Sequence, residues 1–522
     1  MSLYFADSAG NKIGSTKLGQ QVLAAAVGEI DPNLAGEILA EREWRKTYGD
    51  FYAKAAACEF SAARSALTVA QAGLRALENS VRTEAGTLLY QEVLDGWRDD
   101  RSQVDFVAIA GTAEPKYTNI ETSREHIGTL PGHKLVGYGK FLVRTNLAEP
   151  GVAVALDKLS KTLPAARVQV LQSEILVAIA GGGEYAPTRL WLDWGGTVAV
   201  IARQRPLLWQ ELIERARSGA GTLIVPVLRS KLKPGQGAAD LSDQELANVA
   251  GLDLLVDYRA AAAFISTIAR QDARHITIGA YAYAPGAEHI KVQAAQHAII
   301  RAASIALPKT RMGLSWLGTP TDSFAAPASF VQDVDQRFAS RRFTTKLRDA
   351  VLAAAGLKKN SFAKFTNSAT GEPMVVVDPT SNLQGSSYAL AKRTQRYDAY
   401  LAAHEGRPVA YLVAPPARTA SVLDYKILNA TYAGAPALGL HPFGTEEAVG
   451  LEAALLLASL IDPQSAGANP ADPKSAGQIS PALYLDTAVH AGLWRTIYGT
   501  AGLFKAATIL GYLPTDDRHS PL

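Results

Sequence analysis

Between about residues 168 and 413 the sequence alternates short, continuous apolar runs with amphipathic stretches of helix length. This alternation is typical of βαβ units, and runs that are apolar throughout indicate strands buried on both faces. We predict seven strands, at 175–179, 197–201, 222–225, 276–280, 312–317, 374–377 and 408–413. The pattern therefore predicts an α/β protein with a doubly wound, mostly parallel sheet.

The rest of the chain, before and after these residues, has a different pattern of residue types. Ala, Leu, Glu and Arg dominate its first part, with apolar positions three and four residues apart, which indicates helices. Two β-rich runs there, Val104 to Ala110 and Lys134 to Val143, predict strands of a small α/β piece. We expect three units: 1–165, mainly helical; 166–462, a Rossmann-like domain with a charged helical insertion near 325–370; and 463–522, a loop and a helical extension.

Composition limits the classes of partner. Lys and Arg number 52 against 49 for Asp and Glu, a net charge of +3, and so small an excess argues against nucleic acid or an anionic membrane. Cys58 is the only cysteine, which excludes an intramolecular disulfide. With neither a secretory leader nor an apolar run of about 18–20 residues, we expect a cytoplasmic protein without a membrane span. Its partner would be a small molecule, and homo-oligomerisation is left open.

A glycine-rich loop follows the first predicted strand. Its sequence is Ala180-Gly181-Gly182-Gly183, and a predicted helix follows it. Glycines at this place let the backbone approach a pyrophosphate, as in dinucleotide-binding loops. Tyr185 and Pro187 stand where later glycines of such a fingerprint are expected. The alternative reading is a tight turn.

Two arginines close the second predicted strand, in Ile201-Ala202-Arg203-Gln204-Arg205. An NAD-preferring site usually has an acidic residue here for the ribose 2′-hydroxyl, whereas arginine suits a 2′-phosphate. The sequence thus favours NADP over NAD if a nucleotide binds. The alternative is a pair of solvated arginines.

Tyr388 and Lys392 open a predicted helix after the strand at 374–377. Four residues apart, they share one face of the helix. There the lysine would lower the pKa of the phenol and hold a ribose hydroxyl, and the tyrosine would pass a proton to a carbonyl oxygen.

With this Tyr-x-x-x-Lys, the glycine loop and Ala414-Pro-Pro-Ala-Arg-Thr419, residues 170–460 resemble the short-chain dehydrogenase/reductase superfamily in a divergent form. The resemblance implies a Rossmann fold and a nicotinamide cofactor. It also implies these roles: Gly181 and Gly183 at the pyrophosphate, Arg203 at the 2′-phosphate, Lys392 at the ribose, Tyr388 as acid, and Pro415 and Thr419 beside the nicotinamide.

The serine of this family has no clear counterpart. It is expected about a dozen residues before the tyrosine, which here falls in a predicted strand. Ser381 is our candidate, although Ser386 and Ser387 lie nearby. The segment Thr319 to Ser323, after another strand, also offers a hydroxyl, or it is a helix N-cap. No zinc motif is present, because His289 and His297 are eight residues apart.

We therefore expect an NADP-dependent oxidoreductase that reduces a carbonyl or related group of an apolar small-molecule or acyl substrate. One alternative is a cofactor-free Rossmann-like scaffold or assembly protein. Another is an isomerase, lyase or dehydratase that uses the same tyrosine without net oxidation.

Overall fold

The computed structural model describes residues 3–99, 103–116, 120–121, 129–130, 134–381, 383–462 and 482–513. They form a mixed α/β structure around a mostly parallel sheet of seven strands. The loop expected at the start of the third unit, residues 463–481, lies outside the described residues.

The N-terminal part is mainly helical, as its repeat of apolar positions predicts. Its elements are β1 (Tyr4–Ala6), β2 (Lys12–Ile13), α1 (Ser15–Val27), α2 (Pro32–Ala40), α3 (Trp44–Glu59), α4 (Ser65–Ser80), β3 (Val81–Arg82) and α5 (Leu89–Arg98). The strand β1 pairs antiparallel with both β2 and β3. Leu18 and Val22 of α1 and Leu74 of α4 are fully or almost fully buried in one core, because three- and four-residue spacing places apolar side chains on one helix face.

One predicted strand in the next segment is wrong. The elements are β4 (Val104–Ala110), β5 (Ile120–Glu121), β6 (Thr129–Leu130), α6 (Leu135–Arg144), α7 (Pro150–Lys161) and α8 (Pro164–Ser173). The run Lys134 to Val143 is therefore helix, not strand. Leu135, Tyr138 and Leu142 are its buried positions, and their spacing of three and four residues is helical.

The α/β part follows. Up to its fifth parallel strand it contains β7 (Glu174–Ile179), α9 (Thr188–Asp193), β8 (Thr197–Ile201), α10 (Pro206–Ser218), β9 (Thr222–Leu228), α11 (Asp243–Val249), α12 (Tyr258–Gln271), β10 (His275–Ala280), α13 (Ala287–Ala306) and β11 (Met312–Gly318). An insertion follows with β12 (Phe324–Pro327), α14 (Val334–Ala339), α15 (Phe343–Leu352), β13 (Ala363–Thr366) and β14 (Pro373–Val377). The chain ends with α16 (Ser386–His404), β15 (Val409–Val413), α17 (Ala420–Leu423), α18 (Lys426–Gly434), α19 (Thr445–Ile461), α20 (Ala482–Leu485) and α21 (Thr500–Tyr512).

The main sheet has the order β15-β11-β10-β7-β8-β9-β4. Six strands are parallel, and β4 runs antiparallel to β9 at one edge. Counted along the chain, the parallel strands from β9 to β15 have the order 3-2-1-4-5-6, which is found in doubly wound sheets of the Rossmann type. The order reverses between β7 and β10, and sheets of this kind bind ligands outside the carboxyl ends of the strands at that point.

The membership of the sheet differs from the prediction in one strand. Residues 374–377 form β14, which pairs antiparallel with β12 and β13 in a separate three-stranded sheet of the insertion. The seventh place in the main sheet belongs instead to β4. An apolar run shows that a strand is buried, but it does not show which partner the strand pairs with.

Helices cover both faces of the main sheet. Apolar residues of α12, α13 and α16 share a core with one face, and those of α9, α10 and α19 share a core with the other. Helices α1, α4 and α5 belong to the first of these cores. The N-terminal helices thus form an outer layer on this face, which includes α16, the helix that carries Tyr388 and Lys392.

Candidate active site

Tyr388 and Lys392 lie in the first two turns of α16, at the carboxyl ends of the parallel strands. The helix begins at Ser386, directly after Gly385, whose φ of 81° is favourable only for glycine. The Lys392 ammonium is 5.8 Å from the centre of the Tyr388 ring. The expectation that both side chains share one helix face is thus met.

Thr319, at the end of β11, lies next to Tyr388. It directly follows the last residue of that strand, and its hydroxyl is 2.8 Å from that of Thr321. Burial raises the pKa of Tyr388 above its usual value, and the nearby Thr319 side chain offsets only part of this effect. The prediction that Lys392 lowers this pKa is not supported, because burial raises it and Lys392 is not among the groups that shift it. The phenol stays protonated at neutral pH.

Ser381 lies elsewhere. Its hydroxyl oxygen accepts a hydrogen bond from the amide of Leu383, at 3.3 Å, and its carbonyl accepts one from the Tyr48 hydroxyl, at 2.9 Å. The structure thus brings Thr319, rather than Ser381, to Tyr388. The sequence signal for Thr319 was its place at a strand end. The insertion between β11 and α16 separates Thr319 from Tyr388 in sequence, so Thr319 does not stand at the usual distance before the tyrosine.

Lys392 is almost fully buried. Its ammonium donates to the carbonyl of Leu317, at 2.8 Å, and to the side-chain oxygen of Gln395, at 3.2 Å. Burial lowers the pKa of Lys392 to about 8, because charge is disfavoured where water is excluded. The ammonium is fixed one helical turn from Tyr388.

His289, in the first turn of α13, is a site residue that sequence reasoning missed. Its ring centre lies 5.2 Å from that of Tyr388 and 5.0 Å from that of Tyr283. The side chain is 1% exposed, and neither ring nitrogen has a hydrogen-bond partner among the described residues. Burial, and then the charge of Lys392, lowers the pKa of His289 to about 3, so the imidazole is neutral and can donate one hydrogen bond and accept another.

The glycine loop makes a tight turn after β7. A Cβ on Gly181 would lie 2.8 Å from the Ala178 side chain, and one on Gly182 would lie 2.4 Å from Leu208. Gly181 is therefore required by packing, whereas at Gly182 the end of the Leu208 side chain would have to move. Gly183 is exposed, and a Cβ there would meet only the Ala180 carbonyl, at 3.3 Å.

Arg203 and Arg205 are both exposed at the end of β8, the strand next to β7. Among the residues that the structure describes, no carboxylate forms an ion pair with either guanidinium. This end of the site therefore has positive charge available for an anionic ligand.

Tyr185 connects the loop after β7 with the loop after β15. Its hydroxyl donates to the carbonyl of Pro415, at 2.9 Å. Burial, followed by the charges of neighbours that include Tyr432 and Glu452, raises the pKa of Tyr185. Thr419, the other residue expected at the nicotinamide, is buried at the N-cap of α17. The bond from Tyr185 spans the space between the two loops.

Glu452 is a buried acid on the α19 side of the sheet. Neither of its carboxyl oxygens has a hydrogen-bond partner among the described residues. Burial raises the pKa of Glu452 to about 8. Close by, the Tyr281 hydroxyl donates to the Ser315 hydroxyl across 3.3 Å. The Glu452 side chain is therefore mostly a neutral carboxylic acid at pH 7.

No family model and no curated protein matches this chain. The described part of the chain contains no group of three or more His, Cys, Asp or Glu side chains that could hold a metal ion. No helix within the described ranges is long and apolar enough to cross a membrane.

Proposed function

We propose that this protein is an NADP-dependent oxidoreductase of the short-chain dehydrogenase/reductase type, which reduces a carbonyl or related group of an apolar substrate. The observation that carries the proposal is the placement of Thr319 and Lys392 beside Tyr388, with the Lys392 ammonium 5.8 Å from the centre of the Tyr388 ring. This group lies at the carboxyl edge of a sheet with the strand order of nucleotide-binding proteins.

The phosphate end of the site fits NADP. Gly183 is exposed, so a pyrophosphate can approach it, although its amide already donates to the Ala180 carbonyl at 2.9 Å. Arg203 and Arg205 offer charge to a 2′-phosphate. Pro415 and Thr419 border the nicotinamide end, and Tyr185 must release the Pro415 carbonyl before a ring can enter between the two loops. The bound nucleotide supplies a hydride.

The residues around Tyr388 handle the proton. Because burial keeps the phenol protonated, Tyr388 can give its proton to a carbonyl oxygen. Thr319, next to the phenol, can donate a hydrogen bond to the phenolate that remains. The ammonium of Lys392, 5.8 Å from the centre of the Tyr388 ring, stabilises the same negative charge.

One contact favours the cofactor-free scaffold as a second candidate. The hydrogen bond from Tyr185 to Pro415 occupies the place that a nicotinamide would need. If this contact is permanent, the α/β part serves only as a frame for the helices around it.

The proposal is tested by titrating the purified protein with NADPH and, separately, with NADH. Nicotinamide fluorescence and the melting temperature of the protein report binding. We expect NADPH to bind more tightly and to raise the melting temperature, because it binds only the folded state. Replacing both Arg203 and Arg205 by Gln should weaken NADPH binding and leave NADH binding nearly unchanged.

A screen of apolar carbonyl substrates then uses Tyr388→Phe, which should lose about 10²–10⁴-fold in turnover and keep its NADPH affinity. Tyr425→Phe, at an exposed tyrosine, is the matched control and should remain active. NADPH binding with no consumption in any assay would point to an isomerase, lyase or dehydratase. Absence of binding by either nucleotide would leave the scaffold.

A further inference from the structure

Helix α15 of the insertion presents an apolar stripe to solvent. Phe343, Leu347 and Val351 are 80%, 61% and 71% exposed. They are four residues apart, so they form one line along the outer face of the helix. Single exposed apolar residues are common on protein surfaces, but three large ones in line on a ten-residue helix mark an interaction site.

Polar side chains attach α15 to the body of the protein. Asp349 accepts a hydrogen bond from the Tyr498 hydroxyl at 2.8 Å, and it also pairs, at 3.1 Å, with Arg341 just before the helix. Arg348 donates to the same hydroxyl at 3.0 Å. These contacts hold the helix in one orientation, with its apolar stripe outward.

Basic residues are frequent in the sequence around the stripe. Residues 333–359 contain seven Lys and Arg against three Asp and Glu, an excess of four in a chain whose net charge is only +3. Arg342 precedes the helix, Lys346 lies beside the stripe and Lys358 follows shortly after the helix, all three exposed. No carboxylate of the described residues forms an ion pair with any of the three. The low overall charge conceals this local excess.

We propose that α15 is a membrane-contact helix, which inserts the stripe of Phe343, Leu347 and Val351 into the headgroup boundary of an anionic lipid bilayer. An apolar face flanked by Lys and Arg is the pattern of helices that lie in the plane of such an interface. Basic side chains next to it add attraction to anionic headgroups.

Two features favour a bilayer over other occupants. A second copy docking through the same face would bring Arg342, Lys346 and Lys358 against their own counterparts, and like charges repel. The stripe is also a narrow convex ridge. A stable protein interface needs about 800 Å² on each side, whereas a bilayer receives a single helix face. This inference does not depend on the proposed oxidoreductase activity.

Sedimentation of the full chain with vesicles tests the inference, using phosphatidylcholine alone or with about one third phosphatidylserine. We expect binding to the anionic vesicles only, and weaker binding as salt screens the charges. The triple variants Phe343→Ser/Leu347→Ser/Val351→Ser and Arg342→Gln/Lys346→Gln/Lys358→Gln should each bind at least about tenfold more weakly. Val154→Ser/Leu163→Ser removes exposed apolar residues elsewhere and should bind as the original chain does.

All of these positions are exposed, so unchanged melting temperatures would show that the variants fold. Equal sedimentation with both kinds of vesicle, or anionic binding that neither triple variant weakens, would refute the proposal. A dimer in light scattering that the serine variant abolishes, without vesicle binding, would assign the stripe to a second copy. Failure to bind any vesicle, with the chain monomeric, would also overturn the proposal and leave an acidic protein as the occupant.

Discussion

At the scale of single residues, the sequence predicts that Tyr388 and Lys392 lie together, but not which residues surround them. Tyr388 and Lys392 could be placed on one helix face because a spacing of four residues has one meaning on a helix. Thr319 could not be chosen over Ser381, because the insertion separates the hydroxyl from its tyrosine in sequence. The direction of the Tyr388 pKa shift was also missed, since burial depends on packing that no local motif encodes.

Replacing Thr319 tests which hydroxyl serves Tyr388. In an assay of the proposed reduction, Thr319→Val should lower kcat by about 10²-fold or more, because the phenolate loses a hydrogen-bond donor. Thr319→Ser keeps the hydroxyl and should retain most of the activity. Ser381→Ala should stay within a few-fold of the original rate, and the reverse ranking of Thr319→Val and Ser381→Ala would restore Ser381 to the site.

At the scale of elements, α16 connects the site with the helices that cover it. Tyr388 and Lys392 face the strand ends, whereas Asp398 accepts from His297 of α13 at 2.5 Å. The other ring nitrogen of His297 lies 2.9 Å from the Glu78 carboxylate of α4. Although burial opposes it, the two carboxylates raise the pKa of His297 to about 9, so a charged imidazolium joins three helices.

This ion group makes stability depend on pH. The folded protein holds a proton on His297 that the unfolded chain releases near its ordinary value, so stability falls as pH rises from about 6.5 to about 9. The shift corresponds to at most about 3 kcal/mol of unfolding free energy. Urea unfolding across this range should show the decline. His297→Gln should lose the part of this decline that His297 causes, whereas His404→Gln, at the exposed end of α16, should keep it.

At the scale of the whole molecule, the doubly wound sheet could be predicted because buried parallel strands have a distinctive apolar pattern. The contacts between the N-terminal helices and the rest of the protein could not be predicted from the sequence. Glu59 of α3, almost fully buried, accepts from Arg393 at 2.9 Å, and Arg393 also donates to Asp322 at 2.7 Å. Tyr400 donates to Glu59 at 3.2 Å. These residues are far apart in sequence, so only the folded chain shows that their charges pair.

Removal of Glu59 should therefore weaken the whole structure. In Glu59→Gln, two buried guanidinium groups lose part of their counter-charge, and we expect about 3–5 kcal/mol lower stability in chemical denaturation. The exposed pair of Lys54 and Glu37 provides the control, since Glu37→Gln should cost less than about 1 kcal/mol. Equal effects of the two variants would mean that the buried ions contribute no more than surface charges.

The antiparallel edge strand has a consequence for synthesis on the ribosome. Strand β4 is made first among the strands of the main sheet, yet among the described residues it pairs there only with β9, roughly a hundred residues later in the chain. At about 5–20 residues per second, the nascent β4 waits on the order of ten seconds for its partner. Strands β7 and β8 can pair during that interval, so the sheet grows from its middle and closes this edge only when β9 emerges.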